Sequence, residues 1–239
     1  MAGGSRTTNN TDNMETIKTR LEGVTIVKPK MFRDSRGYFF ESYSQREFDE
    51  KVRRVHFVQD NESMSSYGVI RGLHYQKPPY AQSKLVRCVR GAVLDVAVDI
   101  RRGSPTYGQY TACLLCSNDE EGRRLADTYA PRLADMMPEE LDCTAYPTGL
   151  QLFVPRGFAH GFSVLSETAV FQYKCDEFYH PEAEGGVSIL DGTLGIDWLV
   201  PAANATLSDK DTRQCMFSDM EPCFDYRHDY YPQDKEEEI

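Results

Sequence analysis

The chain has 239 residues, 40% of them hydrophobic, and its 37 Asp and Glu against 27 Lys and Arg give a net charge of −10. That is enough apolar material for one substantial core, and enough negative charge to repel phosphate backbones and anionic lipid unless basic residues are segregated. No run approaches the roughly 18 apolar residues of a membrane span, and the polar start MAGGSRTTNN lacks the apolar block of a signal peptide. A cytoplasmic protein that binds neither nucleic acid nor membrane is expected.

Residues 1–20 are polar and rich in Gly, Asn and Thr, and read as a disordered leader to a single domain over 21–216. Residues 24–27 (VTIV) and 38–43 (YFFESY) carry strand signals around a turn at Asp34-Ser35-Arg36-Gly37. Ser44 and Glu47 have the capping-box spacing, so a short helix to about residue 53 is predicted. Residues 84–90 and 92–100 read as two strands joined at Gly91, and 108–116, 150–154, 161–165 and 168–174 supply further short strands. In the 92–100 strand, Leu94, Val96, Val98 and Ile100 share one face, while Asp95 and Asp99 share the other with Val93 and Ala97. Many short strands with Gly and Pro turns argue for a mainly β, antiparallel sandwich or barrel.

One segment interrupts this pattern. Residues 117–142 carry eight acids against three bases and are helix-prone, which reads as a surface insertion between two strands. Residues 217–239, also with eight acids but only two bases, read as a solvated C-terminal extension. Together these two segments account for all of the net negative charge, leaving the rest of the chain near neutral.

Seven cysteines, Cys88, Cys113, Cys116, Cys143, Cys175, Cys215 and Cys223, follow no repeating spacing and do not read as a disulfide framework. The one CxxC pair, Cys113 and Cys116, falls in a strand-like run that sends its sulfurs to opposite faces, favouring small buried residues over zinc ligands.

Two histidines stand beside glycines in apolar strands: His74 in RGLHYQ and His160 in PRGFAHGF. A lone histidine in such a setting is most often structural. Two of them, with Lys84 and several arginines nearby, point to proton transfer, with neutral imidazole as base and a lysine to stabilise a developing enolate. The metal alternative requires a closely spaced histidine pair, and the sequence around His74 offers one inward histidine where two are needed, so no metal is expected. Between residues 71 and 102, Arg71, Lys77, Lys84, Arg87, Arg90, Arg101 and Arg102 outnumber Asp95 and Asp99. Some of these are surface charge. If several converge on a barrel mouth, they form a pocket for a phosphorylated ligand held by side chains and not by a glycine-rich loop.

The segments FVQDN at 57–61, RGLHYQ at 71–76, KLVR at 84–87, DVAVDIR at 95–101, SPTYG at 104–108, GFAHGF at 157–162 and GIDW at 195–198 together closely resemble the dTDP-4-dehydrorhamnose 3,5-epimerase family. The resemblance covers about residues 24–117 and 150–213 and implies a cupin, or jelly-roll, β-barrel. It implies His74 as general base with Asp211 of LSDKD as its partner, Tyr173 as proton donor and Lys84 as the cation beside the substrate ketone. It further implies Arg36, Glu41, Gln59, Asn61, Arg71, His160, Glu184 and Lys210 as substrate contacts, a dTDP-sugar as ligand, no cofactor, and a homodimer with strands exchanged. A 4-keto sugar has acidic C–H bonds at C3 and C5, so a base on one face, an acid on the other and a cation near O4 suffice for epimerisation. Single-centre epimerisation, 3,4-ketoisomerisation and non-catalytic sugar-nucleotide binding remain alternatives. The departures from the family are the 117–142 segment, the two termini, and Tyr75 where phenylalanine is frequent.

Overall fold

The computed structural model describes residues 13–133, 136–138, 141 and 148–231. In chain order its strands are β1 (Met14–Lys18), β2 (Thr25–Pro29), β3 (Phe32–Asp34), β4 (Gly37–Phe39), β5 (Gln59–Ser66), β6 (Ile70–Gln76), β7 (Lys84–Arg90), β8 (Ala92–Asp99), β9 (Arg101–Arg102), β10 (Tyr110–Cys116), β11 (Gln151–Val154), β12 (Phe158–Val164), β13 (Thr168–Cys175), β14 (Glu184–Gly186) and β15 (Phe224–Asp225). Helix α1 (Gln45–Lys51) precedes β5, and α2 (Glu120–Leu133) follows β10. Two antiparallel sheets, ordered β1-β2-β11-β7-β13-β5 and β10-β8-β12-β6-β14, form the jelly roll the sequence pointed to.

The core lies between and around these sheets. Every residue of β8 is buried, although the strand alternates in chemistry. His160 of β12 stands opposite Ala97 in register, so the Asp95 face turns toward His160 and the barrel interior. The insertion supplies part of the cover on the outside. Leu125, Ala126, Ala130 and Leu133 are the buried side of α2, which packs on β10 and β8. Beyond the helix, Met136 accepts a backbone hydrogen bond from Ala112 of β10 at 3.2 Å. The predicted helix is therefore present, and it shields the edge strand β10 instead of standing free in solvent. The segment also returns to its origin, since the Gly149 N–H donates to the Cys116 carbonyl at 2.9 Å.

Several expectations change. The leader ends earlier than residue 20, because residues 14–18 pair antiparallel with β2. The anchor is Glu47, a buried carboxylate that accepts the backbone N–H groups of Asn13 and Met14 at 3.2 Å and pairs with Lys51. Glu47 is thus not the return half of a capping box, and Ser44 makes no side-chain cap. The strand predicted over 38–43 stops at Phe39 and pairs only with β3, in a hairpin that leaves Phe39 70% exposed. Residues 217–231 are not a free tail. β15 pairs parallel with β9, Phe224 is buried, and Tyr231 packs against the body. The remaining leader and tail residues lie outside the described ones.

Candidate active site

Glycines explain how the two histidines meet. Gly72 has φ +137°, and a Cβ there would lie 2.6 Å from the Cα of Gly161. Only a glycine pair lets β6 and β12 approach this closely, and the resulting register places His74 directly opposite His160. Both side chains line a cavity of about 730 Å³ between the two sheets.

Each imidazole has its own carboxylate. His74 Nε2 lies 2.6 Å from Oδ1 of Asp211, which is 3% exposed. The second oxygen of Asp211 accepts the Ser208 hydroxyl at 2.7 Å, so the carboxylate is fixed before it fixes the ring. With Nε2–H donated to Asp211, Nδ1 carries the lone pair. Burial is the main cause that lowers the His74 pKa, with Lys210 and Lys84 adding to it and Asp211 opposing, and the ring is neutral at pH 7. On the other side, His160 Nε2 lies 3.0 Å from both oxygens of Asp95. Burial drives the Asp95 carboxyl up against the pull of His160 and Lys84.

The facing sheet supplies the remaining groups. Alternation along β13 points Phe171, Tyr173 and Cys175 into the cavity, and alternation along β5 does the same for Gln59, Asn61 and Ser63. Tyr173 pairs in register with Asn61, and Cys175 with both Gln59 and Lys84. The Lys84 Nζ lies 5.9 Å from the centre of the Tyr173 ring, and Lys84 forms no ion pair among the described residues. Burial lowers the Lys84 pKa, and burial also raises that of the Tyr173 phenol, which keeps its proton through neutral pH. At the rim, Lys210 pairs with Glu184, whose other oxygen accepts the Tyr179 hydroxyl at 3.0 Å. Burial raises the Glu184 carboxyl, but Lys210 outweighs it and holds the group below its usual range. Arg71 reaches the Ser65 hydroxyl at 3.0 Å, and Gln59 donates to Asn61 at 2.9 Å.

Ten of the twelve predicted residues, all but Arg36 and Glu41, line this one cavity. Arg36 pairs with Asp34 of its own hairpin, and Glu41 accepts the Asn13 side-chain amide at 3.3 Å. Asp95 and Ser208 are the residues that sequence reasoning passed over. A carboxylate flanked on both sides by apolar residues, in AVLDVAVDI at 92–100, was the available signal for Asp95, and Ser208 stands within the same LSDKD motif as Asp211. Among the described residues no group of three or more His, Cys, Asp and Glu is placed to hold a metal.

Comparison with known proteins follows the same outline. The family model for dTDP-4-dehydrorhamnose 3,5-epimerase matches residues 18–129 and 140–219. The Shigella flexneri dTDP-4-dehydrorhamnose 3,5-epimerase is 44% identical over 86% of this chain and 97% of its own. The crystal structure of the Elizabethkingia anophelis dTDP-4-dehydrorhamnose 3,5-epimerase is 46% identical with a TM-score of 0.71, covering 87% of this chain and 98% of that one. A dTDP-6-deoxy-D-glucose-3,5-epimerase from Legionella pneumophila, solved in complex with dTDP-4-keto-L-rhamnose, is 37% identical with a TM-score of 0.72 over 90% and 100% of the two chains. Jelly roll, pocket and these matches together define a cupin-fold isomerase. Within that class, the chain belongs to the dTDP-4-dehydrorhamnose 3,5-epimerase family. Within the 117–142 segment the family match runs to residue 129, inside α2, and resumes at residue 140.

Proposed function

We propose that the protein epimerises dTDP-4-dehydro-6-deoxy-D-glucose at C3 and C5 to dTDP-4-dehydro-L-rhamnose. The observation that carries this reading is the placement of His74 on β6, paired with Asp211, and of Tyr173 on β13, on opposite walls of one cavity that also holds Lys84. A sugar ring between the walls presents one face to the base and the other to the acid. His74 Nδ1 takes the proton α to the C4 ketone, the electron pair moves onto O4 as an enolate beside the Lys84 ammonium, and Tyr173 returns a proton to the same carbon from the far face. Exchange with water returns His74 to the neutral base and Tyr173 to the phenol, and repetition at the second α carbon completes the product. The ketone itself is the electron sink, so the reaction as written uses no nicotinamide and no metal. Arg71, Gln59, Asn61, His160, Glu184 and Lys210 are assigned to substrate binding, with Arg71 gripping the diphosphate.

Arg36 and Glu41 belong to this reading only if a second copy is present. The β3–β4 hairpin exposes Phe32, Tyr38 and Phe39 and carries Arg36 at its turn, a combination suited to docking on another protomer. In the proposed homodimer, hairpin residues complete the cavity of the partner subunit. The biosynthetic role and the absence of a helix long and apolar enough to cross a membrane among the described residues are in keeping with a cytoplasmic location.

The test is incubation with dTDP-4-dehydro-6-deoxy-D-glucose in D2O. Deuterium and inversion at both C3 and C5 are expected. Label at one carbon only would replace this reading with single-centre epimerisation, and binding with no exchange would reduce the protein to a sugar-nucleotide binding module.

A further inference from the structure

Residues 220–231 lie beyond the family match, yet they are built into the body. Their last contact is with Arg156, the middle of the three residues between β11 and β12. The Tyr230 carbonyl accepts Arg156 Nη1 at 2.8 Å, and the Tyr231 hydroxyl accepts the Arg156 backbone N–H at 3.2 Å. The Arg53 guanidinium lies 3.8 Å from the centre of the Tyr231 ring and also pairs with Asp229 at 2.8 Å, which holds the strap from its outer side.

Arg156 passes this restraint inward. Its Nε lies 3.0 Å from Oδ2 of Asp176, and the two side chains are 6% and 3% exposed. A buried ion pair of this kind is worth having only when its remaining polar atoms are satisfied, and here they are. The other Asp176 oxygen accepts the backbone N–H of Ser83 at 2.6 Å. Ser83 immediately precedes Lys84, and Asp176 immediately follows Cys175, so the pair stands at the point where β7 begins and β13 ends. Lys84 and Cys175 both line the cavity, one residue further in.

We propose that the C-terminal strap, residues 220–231, is a positioning element for Lys84: through Tyr230 and Tyr231 it holds Arg156, through Arg156 it holds Asp176, and Asp176 fixes the backbone from which Lys84 projects. Arg156, Asp176 and Tyr231 are positioning residues and touch no substrate. Lys84 makes no ion pair among the described residues, and with its Nζ held only by a 5.9 Å approach to the Tyr173 ring, its placement depends on where its backbone is held. This inference rests on the epimerase reading for its kinetic consequence, whereas its structural consequence is independent of it.

The test uses Asp176→Asn and Tyr231→Phe in the full chain. The first removes the charge that Arg156 answers, and the second removes only the hydroxyl that accepts the Arg156 N–H. Asp176→Asn is expected to lower kcat for solvent exchange by about tenfold or more, given the sensitivity of catalysis to small displacements. Tyr231→Phe is expected to lower it by about fivefold, the equivalent of one hydrogen bond. KM should stay within about twofold in both, because the binding groups are elsewhere. The double variant should be no slower than Asp176→Asn, since both act on one chain of contacts. In both variants the Ser83 amide should exchange faster with D2O. A full kcat in Asp176→Asn, a loss confined to KM, or unchanged Ser83 amide exchange would each overturn the proposal. If Asp176→Asn does not fold, Tyr231→Phe decides on the same readouts. If the wild-type chain shows no solvent exchange, the epimerase reading falls, and Ser83 amide exchange alone decides the positioning role.

Discussion

His74 and Asp211 are 137 residues apart in sequence and 2.6 Å apart in space, with the carboxylate buried and locked by Ser208. A buried acid in that position fixes both the tautomer and the direction of the imidazole, and it stabilises the imidazolium that forms on proton abstraction. Asp211→Asn should therefore lower kcat by about 10³ to 10⁴ while the affinity for dTDP stays near wild type. Exchange kinetics in D2O and calorimetric titration of dTDP check the two halves; retention of full activity would remove Asp211 from the mechanism.

The acid limb of the pH profile should fall below 6.5, the ordinary histidine value, because burial, Lys210 and Lys84 hold the His74 pKa down. The sign is fixed by the role: the base works neutral, so activity is present above the depressed pKa and lost as pH falls through it. Lys210→Met removes one of the opposing charges and also leaves Glu184 unneutralised, and both changes favour the imidazolium. Its acid limb should move to higher pH, and a limb that stays in place would show that His74 is not the titrating base.

Tyr173→Phe separates removal of a proton from its return. The base, its carboxylate and Lys84 are untouched, so deuterium should still enter at the α carbons through His74. Inversion should fall by about 10² to 10⁴, the range for a positioned acid. Product analysis by NMR reads both quantities in one sample, and inversion at the wild-type rate would assign the donor elsewhere.

Gly72→Ala tests the close approach of β6 and β12. An added Cβ would meet Gly161 at 2.6 Å, on a backbone with φ +137°. The strained backbone alone costs about 1–3 kcal/mol, so a clear fall in Tm is expected with loss of activity. An unchanged melting curve would mean that the strands can separate without consequence.

The exposed hairpin gives an assembly test. Phe39→Asp places a charge on the aromatic face that the proposed partner covers. Wild-type protein should sediment as a dimer and the variant should dissociate at lower dilution, with activity falling alongside. A monomeric wild type with full activity would leave Arg36 and Glu41 without a site.

Where an element is fixed by local pattern, the sequence announces it: β7 and β8 meet at Gly91, α1 follows Ser44, and α2 falls inside the acidic segment. Residues brought together by register were harder to read. Asp95 looked like one of two acids on a face shared with Val93 and Ala97, and only the pairing of β8 with β12 turns it toward His160. β1 has the unpromising sequence METIK and owes its order to Glu47, a residue more than thirty positions away. The strap was misread for a related reason. Its acids and tyrosines suit a solvated tail, and what fixes it is a set of partners, Arg53, Arg101 and Arg156, scattered along the whole chain. The motifs themselves located ten cavity residues, since the chemistry they carry is local even where the geometry is not.

The hydrogen bond from Gly149 to Cys116 means that the inserted segment begins and ends at one point of the body, with both residues buried. Apart from α2 and the Met136 contact that cover β10, the barrel therefore registers that the ends meet and not how many residues lie between them. For a flexible excursion, each doubling of length costs only about 0.6 kcal/mol. Extra residues added to the sequence between α2 and Gly149 would by that measure cost the fold little, which makes this stretch a place to splice in a peptide epitope or reporter.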